Sequence, residues 1–354
     1  MASAFVSSAQ IDAVAACSTL HASSGETTHK SLLAVAQSHL EGNLWSGGVA
    51  LFDVVSSERL CELQLESGVA SLAWCSSEGN VIALGCDDGD VRLASLSTDS
   101  TLSFVPFGAS SNDDAKITGW GHDDVVTGVS VSQIDKNQLA TSSWDLTVKL
   151  WDITTMDQTI ATFDGHTDLI WGVAMNPTHA PVLCSASQDS TVQVWDARHP
   201  QSAALMVSTL LPALSVDWHP KQATIFSVGL EDGGVYIFDV RSPRMPLVRR
   251  KPHRAAVHVV KYSPYHNDLL ATGGDDGKAF VIFNSCAIDH KEGFGVRELR
   301  GKDDDSFAHR DYVRALEWFQ NESLSPNSDE AILFTGAWDK TIREWNIDSL
   351  ATLH

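Results

Sequence analysis

The stretch Ser143-Trp144-Asp145-Leu146-Thr147-Val148-Lys149-Leu150-Trp151-Asp152 places a polar turn before an alternating apolar run that ends in a Trp-Asp pair. Gly121-His122 stands 29 residues before Trp151. Gly165-His166 stands at the same interval before Trp195-Asp196. The chain therefore contains a repeated structural unit rather than a single irregular domain.

Seven positions equivalent to Trp151 divide the chain into repeats. Their spacings are 42, 57, 44, 43, 44 and 63 residues, so two of the repeats contain an inserted loop. Six residues before each of the last six anchors lies an aspartate in a predicted turn. The anchors are Phe52, Ala94, Trp151, Trp195, Phe238, Ile282 and Trp345.

Gly-His at one end of a repeat and Trp-Asp at the other are typical of WD40 repeats, each of which forms a four-stranded blade. The resemblance predicts an all-β fold, a single seven-bladed WD40 β-propeller over residues 1–354. Only nine residues follow Trp345, so the N-terminal strand must join the last blade to close the ring. We expect this strand within residues 1–18, with the apolar run Ile11 to Cys17 as its centre.

A buried hydrogen-bond network explains the polar letters of the repeat. In WD40 proteins an Asp accepts from a His, the His meets a hydroxyl, and the hydroxyl meets the Trp N–H. Acid–base chemistry or metal binding is the alternative, but the repeat already accounts for these residues. Three repeats keep all four members and we expect them to be structural: His122, Thr141, Asp145 and Trp151; His166, Ser185, Asp189 and Trp195; His309, Thr335, Asp339 and Trp345.

Composition bounds the function. No apolar run is long enough to span a bilayer, and no basic start resembles a signal peptide. Six cysteines without C-x-x-C pairing favour a reducing compartment, so we expect a cytoplasmic and nuclear protein without membrane association. The net charge of −21 argues against direct nucleic-acid binding and favours basic protein partners, although acidity can also serve solubility alone.

Catalytic motifs are absent from the sequence. It holds no phosphate loop, nucleophile elbow or zinc ligand cluster, so we predict no enzyme activity, no catalytic residue, no cofactor and no metal. Four segments depart from the repeat and are predicted as loops: residues 38–46, 95–121, 284–308 and 320–330.

Several segments are more specific than the general repeat. They include Leu44-Trp45-Ser46-Gly47, Ser67-Gly68 to Trp74, His122 to Val126, Leu214 to Pro220, and Ala308 to Arg314 with Gly336 to Asp339. Over residues 31 to 346 these segments resemble the methylosome protein 50 family, WD-repeat partners of the type II protein arginine methyltransferase.

The resemblance implies a non-catalytic scaffold. It would bind the N-terminal domain of the methyltransferase and help present Arg-rich substrates such as histones and the Sm proteins of snRNP assembly. A loop tryptophan of blade one inserts into the enzyme in that family, and the matching residue is Trp45, next to Leu44. The alternative is that Trp45 folds back on its own blade.

A second function remains open. Trp195-Asp196-Ala197-Arg198 and Phe238-Asp239-Val240-Arg241 fit or approach the W-D-x-R pattern of substrate receptors in cullin-RING ubiquitin ligases. The pattern is short, and an arginine after a blade often only caps a surface turn.

Overall fold

The computed structural model describes residues 4–23, 26–41, 44–75, 80–97, 100–105, 120–155, 159–266, 269–284, 294–300, 308–320 and 331–347. Their regular structure consists of β-strands in seven antiparallel sheets. Within these ranges, no helix has the length and apolar content needed to cross a membrane. The prediction of an all-β, seven-bladed propeller is confirmed.

The strands are numbered in chain order. They are β1 (Ala4–Val6), β2 (Gln10–Ser23), β3 (Glu26–Glu41), β4 (Leu44–Asp53), β5 (Arg59–Leu65), β6 (Val69–Trp74), β7 (Val81–Cys86), β8 (Asp90–Leu96), β9 (Leu102–Phe104), β10 (Trp120–Gly121), β11 (Val126–Val131), β12 (Gln138–Ser143), β13 (Thr147–Asp152), β14 (Thr159–Asp164), β15 (Ile170–Met175), β16 (Val182–Ser187), β17 (Thr191–Asp196), β18 (Leu205–Ser208), β19 (Ala213–Trp218), β20 (Ile225–Leu230), β21 (Val235–Asp239), β22 (Val248–Arg250), β23 (Val257–Tyr262), β24 (Leu269–Gly274), β25 (Ala279–Asn284), β26 (Phe294–Glu298), β27 (Val313–Gln320), β28 (Ala331–Ala337) and β29 (Thr341–Asn346).

Five blades consist of four consecutive strands each: β2–β5 (blade one), β11–β14 (blade three), β15–β18 (blade four), β19–β22 (blade five) and β23–β26 (blade six). In blade two, β9 and β10 both pair with different stretches of β8. The first strand of each blade contacts the first strand of the next, and β2 contacts β27 to complete the ring. These innermost strands surround a central channel of about 650 Å³.

The last blade is closed by the N-terminus, as predicted, but not by the expected segment. The closing strand is β1, which pairs with β29 beside β28 and β27. The apolar run Ile11 to Cys17 instead belongs to β2, the innermost strand of blade one. That assignment was wrong because a buried inner strand and a half-buried outer strand both read as short apolar runs. Phe5 fixes the seam, with its ring 5.7 Å from Phe52 and 6.2 Å from Phe334.

Apolar side chains hold neighbouring blades together. The described residues form seven hydrophobic clusters, and each cluster joins two adjacent blades. Strands β7, β16, β20 and β24 are almost entirely buried because each has a neighbouring blade on both faces. The core therefore consists of seven interfaces between neighbouring blades rather than one central cluster.

Tryptophans at the ends of inner strands also bridge the blades. Trp74 donates its indole N–H to the carbonyl of Ala15 at 3.0 Å, and Trp218 does so to Ala174 at 3.1 Å. Trp318 donates in the same way to Lys261 at 3.0 Å. Each bond crosses to the preceding blade, so these indoles are core residues whose polar atom is satisfied.

Three segments predicted as loops contain strands. Residues 38–46 continue the paired strands β3 and β4 instead of linking them as a loop. Residues 95–121 include β9 and β10, and residues 284–308 include β26, the outer strand of blade six. Short strands of this kind lack a clear period-two pattern, so the sequence hid them. Residues 321–330 of the fourth segment lie outside the described residues.

Candidate functional site

The three predicted tetrads each form a continuous hydrogen-bonded chain. In blade three, the Trp151 indole N–H donates to the Thr141 hydroxyl at 2.8 Å, and His122 Nε2 lies 2.8 Å from that oxygen. His122 Nδ1 lies 2.8 Å from the carboxylate of Asp145. A neutral His122 protonated on Nδ1 satisfies every member, because Nε2 can then accept from the hydroxyl.

Blades four and seven repeat this geometry. His166 lies 2.7 Å from Ser185 and 2.8 Å from Asp189, while His309 lies 2.7 Å from Thr335 and 3.2 Å from Asp339. The indoles complete both chains at 2.9 Å, from Trp195 to Ser185 and from Trp345 to Thr335. In blade six, His253 bonds Thr272 and Asp276 at 2.9 Å each, and Ile282 stands where the others have tryptophan.

Burial and hydrogen bonds together set the charge states of this network. Burial by itself would raise the pKa of Asp145, but hydrogen bonds from His122 and Thr147 outweigh it and hold the pKa below its ordinary value. Burial lowers the pKa of His122. An ionised aspartate beside a neutral histidine, with no side-chain exposure of the imidazole, has the properties of a structural bond rather than of an open site.

Blade one extends beyond the others at one end of its strands. In blade three the β12–β13 pairing ends at Val148, three residues before its anchor. The equivalent residue of blade one is Val49, and five further residue pairs follow it, from Gln37↔Gly48 to Glu41↔Leu44. We call residues 37–48 the blade-one hairpin. At about 3.4 Å per residue, these five pairs extend the ladder ~17 Å past the level at which it ends in blade three.

Leu44 and Trp45 lie on the outer part of this hairpin. The backbone of Trp45 pairs with Leu40 and that of Leu44 with Glu41, whereas the side chains of Leu44 and Trp45 lie outside the described residues. Next to them, Leu40 is 48% exposed, and His39 is exposed as well. A projecting strand pair with an exposed apolar side chain is a suitable shape for insertion into a partner.

Glycine is required at the base of the hairpin. A Cβ on Gly47 would lie 2.3 Å from the Gln37 carbonyl oxygen and 2.9 Å from the Cα of Gly68. All of these neighbours are backbone atoms, which cannot move aside. Leu44-Trp45-Ser46-Gly47 therefore combines the candidate anchor with a position that packs the hairpin against blade two.

The same end of the propeller carries the mouth of the central channel. Four residues stand directly before the turn aspartate of their blade: Asp87, Trp144, Asp275 and Trp338. Blade one has no such turn, and at the same level of its strands Ser38 pairs with Gly47. Facing them, His258 and Arg314 come from innermost strands β23 and β27. Arg314 and Trp338 lie in segments that carry the family resemblance, but no motif predicts that these residues share a site; the position before each turn aspartate was the available signal.

Contacts within the mouth are mostly aromatic and ionic. Trp171 packs edge-on against Trp144 and His258, at 5.2 and 5.4 Å between ring centres. The guanidinium of Arg314 lies 3.2 Å from the carboxylate of Asp275 and 5.0 Å from the Trp338 ring. Among the described residues, no group of three His, Cys, Asp or Glu has the placement of a metal site.

The arginines of the two W-D-x-R segments bind their own aspartates. Arg198 contacts Asp196 at 2.6 Å, and Arg241 contacts Asp239 at 2.5 Å. Their side chains remain 66% and 73% exposed. Each pair closes a surface turn after a blade, which accounts for the motif without a partner.

Comparisons with known proteins agree with this architecture. The WD domain, G-beta repeat family matches residues 115–152, 157–196 and 305–346. The chain is 26% identical over 325 residues to a methylosome protein, WDR77, of Xenopus laevis, covering 90% of this chain and 86% of that protein. The resemblance predicted from the sequence motifs is confirmed.

The chain is also similar to two proteins with other names. The peroxisomal targeting signal 2 receptor of Schizosaccharomyces pombe is 23% identical over 304 residues, which cover 85% of this chain and 88% of the receptor. The histone acetyltransferase type B subunit 2 of Candida glabrata is 28% identical over 137 residues, which cover 38% of this chain and 27% of the subunit. The names of these relatives indicate different tasks.

Proposed function

We propose that this chain, a WD40 β-propeller similar to a methylosome protein, is a non-catalytic scaffold that docks a type II protein arginine methyltransferase. The docking partner would be the N-terminal domain of that enzyme. The scaffold would also help present Arg-rich proteins, with histones and Sm proteins as the expected substrates, in the cytoplasm and the nucleus.

The blade-one hairpin is the observation that carries this proposal. It departs from the repeat, projects beyond the turns of the other blades, and exposes Leu40. It also holds Trp45 within the motif that the methylosome protein 50 resemblance rests on. Tryptophan is a favoured anchor at protein interfaces because it buries a large area and loses little rotamer entropy.

The proposal is tested by Trp45→Ala. We expect the variant to keep its melting temperature and to lose at least ~2 kcal/mol of methyltransferase binding, measured by calorimetric titration. Met245→Ala is the matched control, since Met245 is 63% exposed on the connection that precedes β22. Equal affinities for Trp45→Ala and the native chain would remove the anchor role.

The ubiquitin-ligase alternative has less support. Both candidate arginines are already engaged by Asp196 and Asp239 in turns of their own. Affinity purification of the full chain separates the two functions: a methyltransferase among the co-eluting proteins supports the proposal, and a ligase adaptor in its place contradicts it.

A further inference from the structure

The mouth of the central channel holds two carboxylates that form no direct ion pair among the described residues. The cations of the channel have their own acids: Arg314 at the mouth lies 3.2 Å from Asp275, and Lys261, near the other end of β23, lies 2.5 Å from Glu317. Among the described residues, by contrast, no cation forms an ion pair with Asp12 or Asp87, although both line the channel. These two carboxylates come from neighbouring blades, one and two.

Both carboxylates show the effect of an environment that disfavours their charge. Burial raises the pKa of Asp12, against hydrogen bonds from Ser38 and Trp338 and the nearby charge of Arg314. Burial also raises the pKa of Asp87 to about 6, and the nearby carboxylates of Asp12 and Asp88 add to this. His258 brings no compensating charge, because burial lowers its pKa. A cation entering the channel would relieve this repulsion.

Four buried polar atoms at the mouth make no hydrogen bond among the described residues: Asp12 Oδ2, Trp144 Nε1, Asp275 Oδ1 and Arg314 Nε. Asp12 Oδ1 accepts the indole N–H of Trp338 at 2.8 Å, while Asp12 Oδ2 has no hydrogen bond within the described part of the chain. The indole N–H of Trp144, on the adjoining blade three, is also without a partner there. Buried polar groups are rarely left in this state. The Asp12 oxygen calls for a donor such as a guanidinium, whereas the Trp144 N–H calls for an acceptor, which a guanidinium lacks and a peptide carbonyl could supply.

The protein itself shows how a guanidinium fits this mouth. On the blade-seven side, Arg314 lies over the rings of Trp338 and Tyr312, at 5.0 and 5.4 Å, and pairs with Asp275. The part of the mouth that blades one, two and three form offers the same groups: carboxylates from Asp12 and Asp87 and an indole from Trp144. A guanidinium suits an aromatic face and a carboxylate together better than an ammonium does.

We propose that this side of the channel mouth, formed by Asp12, Asp87 and Trp144, binds an arginine side chain of a partner protein. This inference rests on the proposed function, which supplies the identity of the protein that carries the arginine. It lies at the end of the strands from which the blade-one hairpin projects. An enzyme held by the hairpin and an arginine segment held at the mouth would therefore share one end of the propeller.

The test uses the full chain and a fluorescently labelled peptide of three Gly-Gly-Arg units. Fluorescence anisotropy should show at least tenfold tighter binding than for the same peptide with lysine, and no saturable binding when citrulline replaces arginine. Equal binding of the arginine and lysine peptides would reduce the site to general attraction by an acidic protein and overturn the proposal. Absence of binding to the arginine peptide would overturn it as well.

Variants then locate the site. Asp87→Asn and Trp144→Leu should each weaken binding of the arginine peptide at least fivefold. Glu58→Gln is the matched control, because Glu58 is exposed in the turn between β4 and β5, at the opposite end of the strands. If Trp144→Leu does not fold, the isosteric Asp87→Asn decides alone, and unchanged affinity in it overturns the proposal.

Methyltransferase capture keeps the two proposals separable. Asp87→Asn should still bind the enzyme, and Trp45→Ala should still bind the arginine peptide. Failure of peptide binding with intact enzyme capture contradicts only the channel site. Failure of enzyme capture with intact peptide binding contradicts only the docking role.

Discussion

Blades four and five fill the four equivalent positions of the repeat with different side chains. Blade four joins His166, Ser185, Asp189 and Trp195 in one hydrogen-bonded chain. The equivalent positions of blade five hold Thr209, Val228, Asp232 and Phe238. There, Phe238 stacks on Phe226 at 5.6 Å, and Phe226 meets Trp218 edge-on at 5.5 Å.

The turn aspartates differ accordingly. The side chain of Asp189 is 7% exposed and bonds the buried His166, whereas that of Asp232 is 33% exposed and pairs with the surface residue Lys251. The polar network is therefore one of two ways to fill a blade and not a condition for the fold. Apolar packing can replace a buried network if all of its polar members are replaced at once. Removing a single member leaves the others without hydrogen-bond partners.

The largest expected difference comes from deleting the two aspartates. Asp189→Ala leaves the imidazole N–H of His166 and the hydroxyl of Thr191 without their acceptor, and should cost about 3 kcal/mol of unfolding free energy. Asp232→Ala should cost about 1 kcal/mol or less, since it removes an exposed ion pair and a turn bond. Denaturant unfolding of both variants measures this, and equal losses would contradict the distinction between the blades.

The seam of the ring shows whether a complete network can replace apolar closure. Blade seven has a full tetrad, yet its outer strand is held by Phe5, which is 3% exposed. Phe5→Ala should lower the unfolding free energy by about 3 kcal/mol, because it leaves a cavity against Phe52 and Phe334. The neighbouring Val6 is 71% exposed, so Val6→Ala should stay within about 0.5 kcal/mol. A melting curve of Phe5→Ala like that of Val6→Ala would show that the network alone holds the blade.

The dependence of stability on pH separates two aspartates of these blades. Burial raises the pKa of Asp189, but hydrogen bonds from His166 and Thr191 outweigh it and the pKa lies below its ordinary value. In blade five, burial raises the pKa of Asp217 to about 7, against the hydrogen bond from the Tyr262 N–H. Ionised Asp189 therefore stabilises the fold above its unfolded pKa, and this contribution is lost as pH falls. For Asp217 the folded state binds the extra proton, so stability falls as pH rises from about 4 to about 7.

The isosteric variants should show opposite trends. The loss caused by Asp189→Asn should shrink when the pH falls below about 4. The stability of Asp217→Asn relative to the native chain should rise between about pH 4 and pH 7 and then stay level. Unfolding free energies measured at several pH values test both, and parallel curves for the two variants would contradict the assigned pKa directions.

Much of the fold could be predicted because the repeat is carried by strong local signals. The spacing of Trp151, Trp195 and Trp345 from their histidines identifies the blades, and a turn aspartate fixes each register. The closing strand could not be predicted in the same way. Ala4–Val6 and Ile11 to Cys17 are both apolar, and only the pairing with β29 distinguishes them.

The candidate sites divide along the same line. The motif around Trp45 is visible in the sequence because it resembles that of a known family. The mouth residues Asp12, Asp87 and Trp144 come from three blades, and none carries a signature of its own. Ring closure brings them to one channel, so their proximity exists only in the folded protein.

Local periodicity by itself determined the number of blades, their polar networks and the family resemblance, because each depends on spacings within one repeat. The tertiary structure decided which strand closes the ring, how far the blade-one hairpin projects and which side chains meet at the channel mouth. These features depend on contacts between distant parts of the chain, as between Asp12 and Trp338, and no spacing within a repeat encodes them.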